Sequence, residues 1–361
     1  MTTTPQLNRP EPISLVDPIL TENKPLLYNR RRDPNLALTA LFDGEYVILN
    51  DFFSTGLSLL SELKKELLIK FPDTSFQGQR EFRSAYQELS NRILLETKQN
   101  VLNIKKAPDI GWLKILYPEI QNFYISFPQA QGLNSAWQWY KKGIDIGVLG
   151  HKIFPYYGTY FPTRFEHLEL FATWLSKYPG AKESAIDMGI GSGILSYQLL
   201  KARFQNVTGV DSNPNAIIGI QNALKKGKKY QKLNLVYGDL FENCQEQAEL
   251  IVFNPPWLPG KHGITNLDNA IYYNDTLFEN FFEQAKKNLK PDGKLVFIFS
   301  NLAQITDVCK TNPIEEEIKS GTRFKKSELL TRSVKKASKK TKRDQNWRDL
   351  EKVELWVLEH A

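Results

Sequence analysis

The chain has little cysteine, little histidine and no long apolar run. Its two cysteines, Cys244 and Cys309, cannot build a disulfide framework and stand in no CxxC metal spacing. Its histidines, His151, His167, His262 and His360, are scattered, so no zinc site and no other metal is expected. No apolar run approaches the ~20 residues of a membrane span, so no membrane partner is expected either. The start, Met1-Thr2-Thr3-Thr4-Pro5, has neither a basic nor an apolar leader region. A reducing cytoplasm is the expected location.

What is present is an ordinary globular composition, 41% hydrophobic and 12% aromatic, over 361 residues. That length suits one large domain or two. Residues 1–36 are rich in Pro, Thr and Asn and end in Arg30-Arg31-Arg32-Asp33-Pro34; they read as a flexible tail or a surface strap. Residues 37–145 carry a mainly helical pattern. It runs through Leu59, Leu60, Leu63, Leu67 and Leu68, then through Phe82, Tyr86, Leu89, Ile93 and Leu94. Trp137, Trp139 and Tyr140, followed by the Phe154–Pro162 stretch, read either as a base-stacking surface or as interface core.

From residue 146 to 361 the texture becomes short apolar strands alternating with helices. Strands are predicted at 184–188, 206–211, 233–237, 249–253 and 293–299, and helices at 193–204, 214–226 and 275–289. Lys290-Pro291-Asp292-Gly293 marks a tight turn. The rhythm predicts an α/β fold with a doubly wound, mostly parallel sheet. A last strand at 353–358 reads as antiparallel at the edge. Before it lies a basic insertion at about 319–343, with eleven Lys and Arg against Glu328 alone. Without it the chain's net charge of +7 would be negative. It reads as a cationic arm for phosphates or as a solvated loop.

Three features carry chemistry. Asp187-Met188-Gly189-Ile190-Gly191-Ser192-Gly193 follows a strand and opens a helix, so backbone can approach a ligand closely there. A dinucleotide fingerprint needs a third glycine at position 194, where Ile194 stands. The acid at 187 suits a ligand with a positive amine instead. Asp211 ends the next strand, where a carboxylate can accept both hydroxyls of a ribose. Asp239 ends the third, placed for an adenine amino group with Leu240 against the ring. Each acid alone could merely cap a helix. Three at successive strand ends mark the place where open α/β sheets bind ligands. The fourth strand ends in Asn254-Pro255-Pro256-Trp257, a rigid, polar-tipped corner suited to a planar nitrogen group; the plain alternative is a turn with Trp257 in the core.

Residues from about 150 to 300 resemble the class I S-adenosylmethionine-dependent methyltransferases. The resemblance implies a seven-stranded Rossmann-like sheet. It assigns Asp187, Gly189, Gly191 and Gly193 to the methionine part of the cofactor, Asp211 to the ribose, and Asp239 and Leu240 to the adenine. Tyr160-Phe161-Pro162-Thr163 is similar to the family's cofactor lid, which adds Tyr160 and Thr163. Asn254 to Trp257 resembles the branch that methylates planar nitrogens, which includes adenine and guanine N-methyltransferases and release-factor glutamine methyltransferases. There the Asn254 oxygen and the Pro255 carbonyl would accept the substrate's N–H bonds, Pro255 and Pro256 would keep them aimed, and Trp257 would stack on the substrate. A nucleic-acid base, RNA first, is the expected acceptor because of the basic stretch, Arg30 to Arg32 and the aromatics. A protein glutamine amide is the alternative, because a helical domain precedes the catalytic fold; a small-molecule amine is a third. Ile194 and the Pro-Pro corner oppose a nicotinamide oxidoreductase.

Overall fold

A computed structural model describes residues 25–73, 76–226, 232–260, 271–335 and 349–361, with Glu11, Asp17 and Ile19. The chain divides into two compact units, Ser14–Lys141 and Lys142–Ala361.

The first unit holds β1 (Leu26–Tyr28), α1 (Pro34–Phe42), β2 (Val47–Leu49), α2 (Phe53–Lys70), α3 (Phe76–Ser90), β3 (Ile93–Lys98), β4 (Val101–Leu102), α4 (Trp112–Leu116), β5 (Phe123–Ser126) and α5 (Phe127–Lys142). Asp33 accepts a hydrogen bond from Asn35 N at 3.0 Å and Pro34 follows, so α1 starts there. Leu59, Leu63 and Leu67 form the buried stripe of α2, as their spacing predicts. Gly56 joins them because the Phe127 ring lies 2.3 Å from where a Cβ would sit.

Helices predominate in this region, as expected, but it also holds a sheet that the helical reading leaves out. β1, β2 and β3 are parallel, and β4 and β5 pair antiparallel with β3, giving a five-stranded sheet. The spacing of Phe82, Tyr86, Leu89, Ile93 and Leu94 imitates one helix, but α3 stops at Ser90. Ile93, Leu94 and Leu95 are all fully buried, as befits a strand covered on both faces. The end of the expected tail is also built in: Leu26–Tyr28 pairs with Val47–Leu49, and Tyr28 is buried. Residues 1–10 of that tail lie outside the described residues.

The second unit holds β6 (Ile144–Ile146), β7 (His151–Ile153), α6 (Glu166–Leu175), β8 (Ser184–Met188), α7 (Ile194–Lys201), β9 (Asn206–Asp211), α8 (Pro214–Lys226), β10 (Leu233–Tyr237), β11 (Ala248–Phe253), β12 (Leu258–Pro259), β13 (Tyr272–Tyr273), α9 (Leu277–Asn288), β14 (Leu289–Ser300), α10 (Leu302–Ile305), α11 (Pro313–Ser320), β15 (Phe324–Ser333) and β16 (Lys352–His360). Its main sheet has seven strands in the order β10-β9-β8-β11-β14-β16-β15. The first five are parallel, and β16 and β15 are antiparallel. The Rossmann-like sheet expected of the second unit is therefore present. The Lys290–Gly293 segment is a break in register within β14: Ala248 faces Leu289, but Leu250 already faces Lys294.

Alternate residues feed two cores. Ala185, Leu250, Val252, Val296 and Ile298 join one cluster; Ile186, Met188, Ile251, Phe253, Leu295 and Phe297 join the other. The second is dense in phenylalanine because Phe278, Phe281 and Phe282 of α9 pack on Phe253 and Phe297. The chain runs from β8 outward to β9 and β10, then returns to β11 on the other side of β8. That reversal opens a crevice at the carboxyl ends of β8 and β11.

Candidate active site

The crevice collects the Gly-rich loop and the Asn-Pro-Pro-Trp corner. Met188, last in β8, pairs with Phe253, last in β11. Gly189 and Asn254 therefore leave adjacent strand ends at the same level. Gly189, Gly191 and Gly193 all have left-handed backbone, with φ of 67°, 49° and 81°, which L side chains avoid. Ile190 N donates to Val210 O at 2.8 Å, tying the loop to β9. Gly209 makes that docking possible, since a Cβ there would lie 2.1 Å from Ile190. The Tyr160 carbonyl lies 3.6 Å from where a Gly191 Cβ would sit, and Asn213 Nδ2 donates to Gly158 O at 2.8 Å. Tyr160 is thereby held beside the loop, while Thr163 is exposed. Tyr160 is 43% exposed, yet desolvation pushes its hydroxyl pKa up, against the pull of Arg164; exposure and desolvation together suit a group lining a concave wall.

The three acids sit in different states. Asp187 is buried. Its Oδ2 accepts from Ser196 N at 2.8 Å and from Ser196 Oγ at 2.6 Å, so it serves the first turn of α7. Its Oδ1 is buried with no hydrogen-bond partner among the described residues. Desolvation, partly offset by Ser196 and reinforced by the negative charge of Asp211, pushes its pKa up to about 7. Asp211 accepts from Gly191 N and Asn213 N, both at 2.8 Å. Burial pushes its pKa up to about 6 against those two bonds. Asp239 is exposed, and its neighbour Leu240 is buried with a left-handed φ of 46°. Such backbone costs about 1–3 kcal/mol and gathers at ligand sites.

Asn254 and Trp257 are bonded to each other: the Trp257 indole Nε1 donates to Asn254 Oδ1 at 3.1 Å. Trp257 also packs against both core clusters. Its ring meets that of His167 edge-on, with centroids 5.8 Å apart and planes at 89°. His167 is buried on α6, and desolvation lowers its pKa to about 4.

Residues 168–327 match the family described as "Methyltransferase small domain". Over this segment the chain is similar to that methyltransferase family. With it stand the transferase activity, the S-adenosylmethionine dependence and the class expected from the motifs. An N5-glutamine methyltransferase named from Methanocaldococcus jannaschii is 24% identical over 40% of this chain and 75% of its own length. Ribosomal RNA small subunit methyltransferase C of Buchnera aphidicola is 32% identical over 32% of this chain, and the match spans 31% of that enzyme. The ribosomal protein L11 methylase structure from Lactobacillus delbrueckii aligns with a TM-score of 0.38 and 16% identity, over 58% of this chain and 86% of that one.

Within the methyltransferase domain, sequence reasoning passed over Ser196, Gly209, Asn213 and His167. Gly209 and Asn213 flank Asp211 and could have been read from that neighbourhood. Ser196 and His167 leave no sequence signal, because only the fold brings them to Asp187 and Trp257.

Up to Lys335, its last described residue, the basic stretch differs from the mobile arm or loop expected of it. Residues 324–333 form β15, the sheet's edge strand, and four of the stretch's eleven cations are in ion pairs. Arg323 pairs with Glu279 and buried Glu317, Arg332 with Glu169, Lys319 with Glu316 and Lys325 with Glu359. Lys336, Lys339, Lys340, Lys342 and Arg343 lie outside the described residues. The aromatic candidates of the first unit are also mostly internal. Trp137 and Tyr140 each pack on Trp112, and Gly111 accommodates the Trp137 ring. Trp139, at 45% exposure, is the outward one.

Among the described residues no group of three His, Cys, Asp or Glu could hold a metal ion, and no helix is long and apolar enough to cross a membrane.

Proposed function

We propose that the chain methylates a planar nitrogen, the exocyclic amino group of a nucleic-acid base in RNA or DNA, at the corner Asn254-Pro255-Pro256-Trp257. The observation that carries this reading is the level placement of Asn254 beside the glycine loop, across the switch point of a methyltransferase sheet. Bound S-adenosylmethionine would supply a methyl group activated by its sulfonium. The chain's residues fit that cofactor: Asp187 Oδ1 is a buried acceptor with no partner, next to glycine backbone that leaves room for a ligand. In this reading Asp187, Gly189, Gly191 and Gly193 hold the methionine part, with Tyr160 and Thr163 over it. Asp211 takes the ribose with the lone pairs its two backbone donors leave free, and Asp239 with Leu240 takes the adenine.

An aryl amine or amide is a poor nucleophile because its lone pair is delocalised. Acceptors at Asn254 Oδ1 and the Pro255 carbonyl bind its two N–H bonds and favour the pyramidal nitrogen. The cofactor would supply the methyl and keep the electron pair of its carbon–sulfur bond, while Asn254 Oδ1 and the Pro255 carbonyl would hold the attacking nitrogen, whose proton would pass to water. The protein's contribution is positioning and charge placement. Free Cys244 and Cys309 suit the cytoplasm.

The first unit adds a five-stranded sheet to its helices, which departs from the purely helical domain that favoured a release factor. Arg30, Arg31 and Arg32 are exposed there, with Arg30 stacked on Phe52 at 4.3 Å, which favours nucleic acid. A glutamine amide is the second reading, supported by the Methanocaldococcus relative. The test is transfer of radiolabelled methyl into cell extract fractionated as RNA, DNA, protein and small molecules. Label in nucleic acid is expected; label confined to protein or small molecules overturns the preferred acceptor. Asn254→Ala should cut turnover by about 100-fold and leave cofactor affinity nearly unchanged, measured by calorimetry with S-adenosylhomocysteine. Equal loss of both would contradict the role given to Asn254.

A further inference from the structure

The Trp257–Asn254 hydrogen bond has a use beyond packing. We propose that Trp257 is a positioning residue: its indole N–H fixes which end of the Asn254 carboxamide serves as the acceptor for the substrate nitrogen. The inference rests on the planar-nitrogen reading and deepens it.

A carboxamide is nearly symmetric in shape and opposite in chemistry at its two ends. One end is an oxygen with two lone pairs; the other is an NH2 that only donates. Flipped, Asn254 would aim N–H bonds at the N–H bonds of the substrate. The indole Nε1–H is a donor with no acceptor function, so it pairs with Oδ1 and opposes the flip. At 3.1 Å it occupies one lone pair of Oδ1 and leaves the other free.

An orienting group must itself be fixed. Trp257 packs against the clusters on both faces of the sheet, and the buried His167 ring abuts it edge-on. Burial keeps His167 neutral at physiological pH, so the contact does not change with charge. Pro255 and Pro256 span the two bonded residues and restrict the backbone between them. A phenylalanine at 257 would keep a ring there and lose the donor.

The test is a double-mutant cycle read as kcat and KM, with labelled methyl transfer into total RNA from cells that lack this protein. Asn254→Asp supplies a carboxylate whose two oxygens both accept, so orientation no longer matters. Trp257→Phe should lower kcat by about tenfold in the Asn254 background, the worth of one hydrogen bond. In the Asn254→Asp background it should change kcat by less than about twofold. Equal loss in both backgrounds would overturn the orienting role, since damage to packing or stacking does not depend on which residue stands at 254.

A second arm needs no acceptor. In 15N spectra with S-adenosylhomocysteine bound, the Trp257 indole resonance is assigned by its disappearance in Trp257→Phe. It should move, and its proton exchange faster, in Asn254→Leu. An unmoved resonance would overturn the proposal. RNA left unlabelled by the wild-type protein, together with a resonance that moves in Asn254→Leu, would count against RNA as acceptor and still support the bond.

Discussion

Asp187 is a buried acid with one oxygen served and the other without a partner. That arrangement gives stability a direction with pH. Its folded pKa of about 7 lies above the ordinary 3.8. The folded state therefore holds this proton more tightly than the unfolded chain, and stability declines as pH rises from about 4 to about 7. Asp211 adds a decline of the same sign between 3.8 and about 6. His167 acts oppositely: its pKa of about 4 lies below 6.5, so its contribution is lost as pH falls through that window. Asp187→Asn keeps an oxygen for Ser196 and removes only the first of these. Between pH 5 and pH 7 the variant should gain stability relative to wild type as pH rises, measured by urea midpoints in both proteins. Parallel curves would show that Asp187 does not titrate in the fold.

At the scale of elements, β15 shows how cations can be structural. Arg323 links β15 to α9 and α11 through Glu279 and Glu317. Glu317 is buried, so Arg323→Ala should cost about 3 kcal/mol of unfolding free energy, measured by denaturant titration. Lys319→Ala breaks only an exposed pair within one helix and should leave the midpoint unchanged. β8, β9, β10, β11 and the apolar half of β14 were legible as short apolar runs, the first four with an acid or asparagine at the tip; β12 and β13 were not. Gly189, Gly191 and Gly193 were legible because left-handed backbone selects glycine. The first unit was not: β1, β2, β4 and β5 are too short to display a period, and Leu89 to Leu94 continue a helical spacing across the end of α3. The basic strand β15 hid its partner too. Its cations meet Glu169, Glu279, Glu317 and Glu359, all distant in sequence except Glu317.

At the scale of the whole molecule, the chain couples a methyltransferase domain to a smaller α/β unit that carries the exposed Arg30–Arg32 cluster. The +7 charge is a net figure, and Lys319, Arg323, Lys325 and Arg332 of the basic stretch already sit in ion pairs with carboxylates. The proposed reaction rests on Asn254, Pro255 and the Trp257 indole bonded to Asn254. The most direct measurement is the identity of the methylated atom. Labelled acceptor is digested to nucleosides or amino acids and resolved by mass spectrometry, for wild type and for Asn254→Ala. The expected result is methyl on an exocyclic or amide nitrogen, lost in the variant; methyl on oxygen, sulfur or carbon, or label unaffected by Asn254→Ala, would contradict the account.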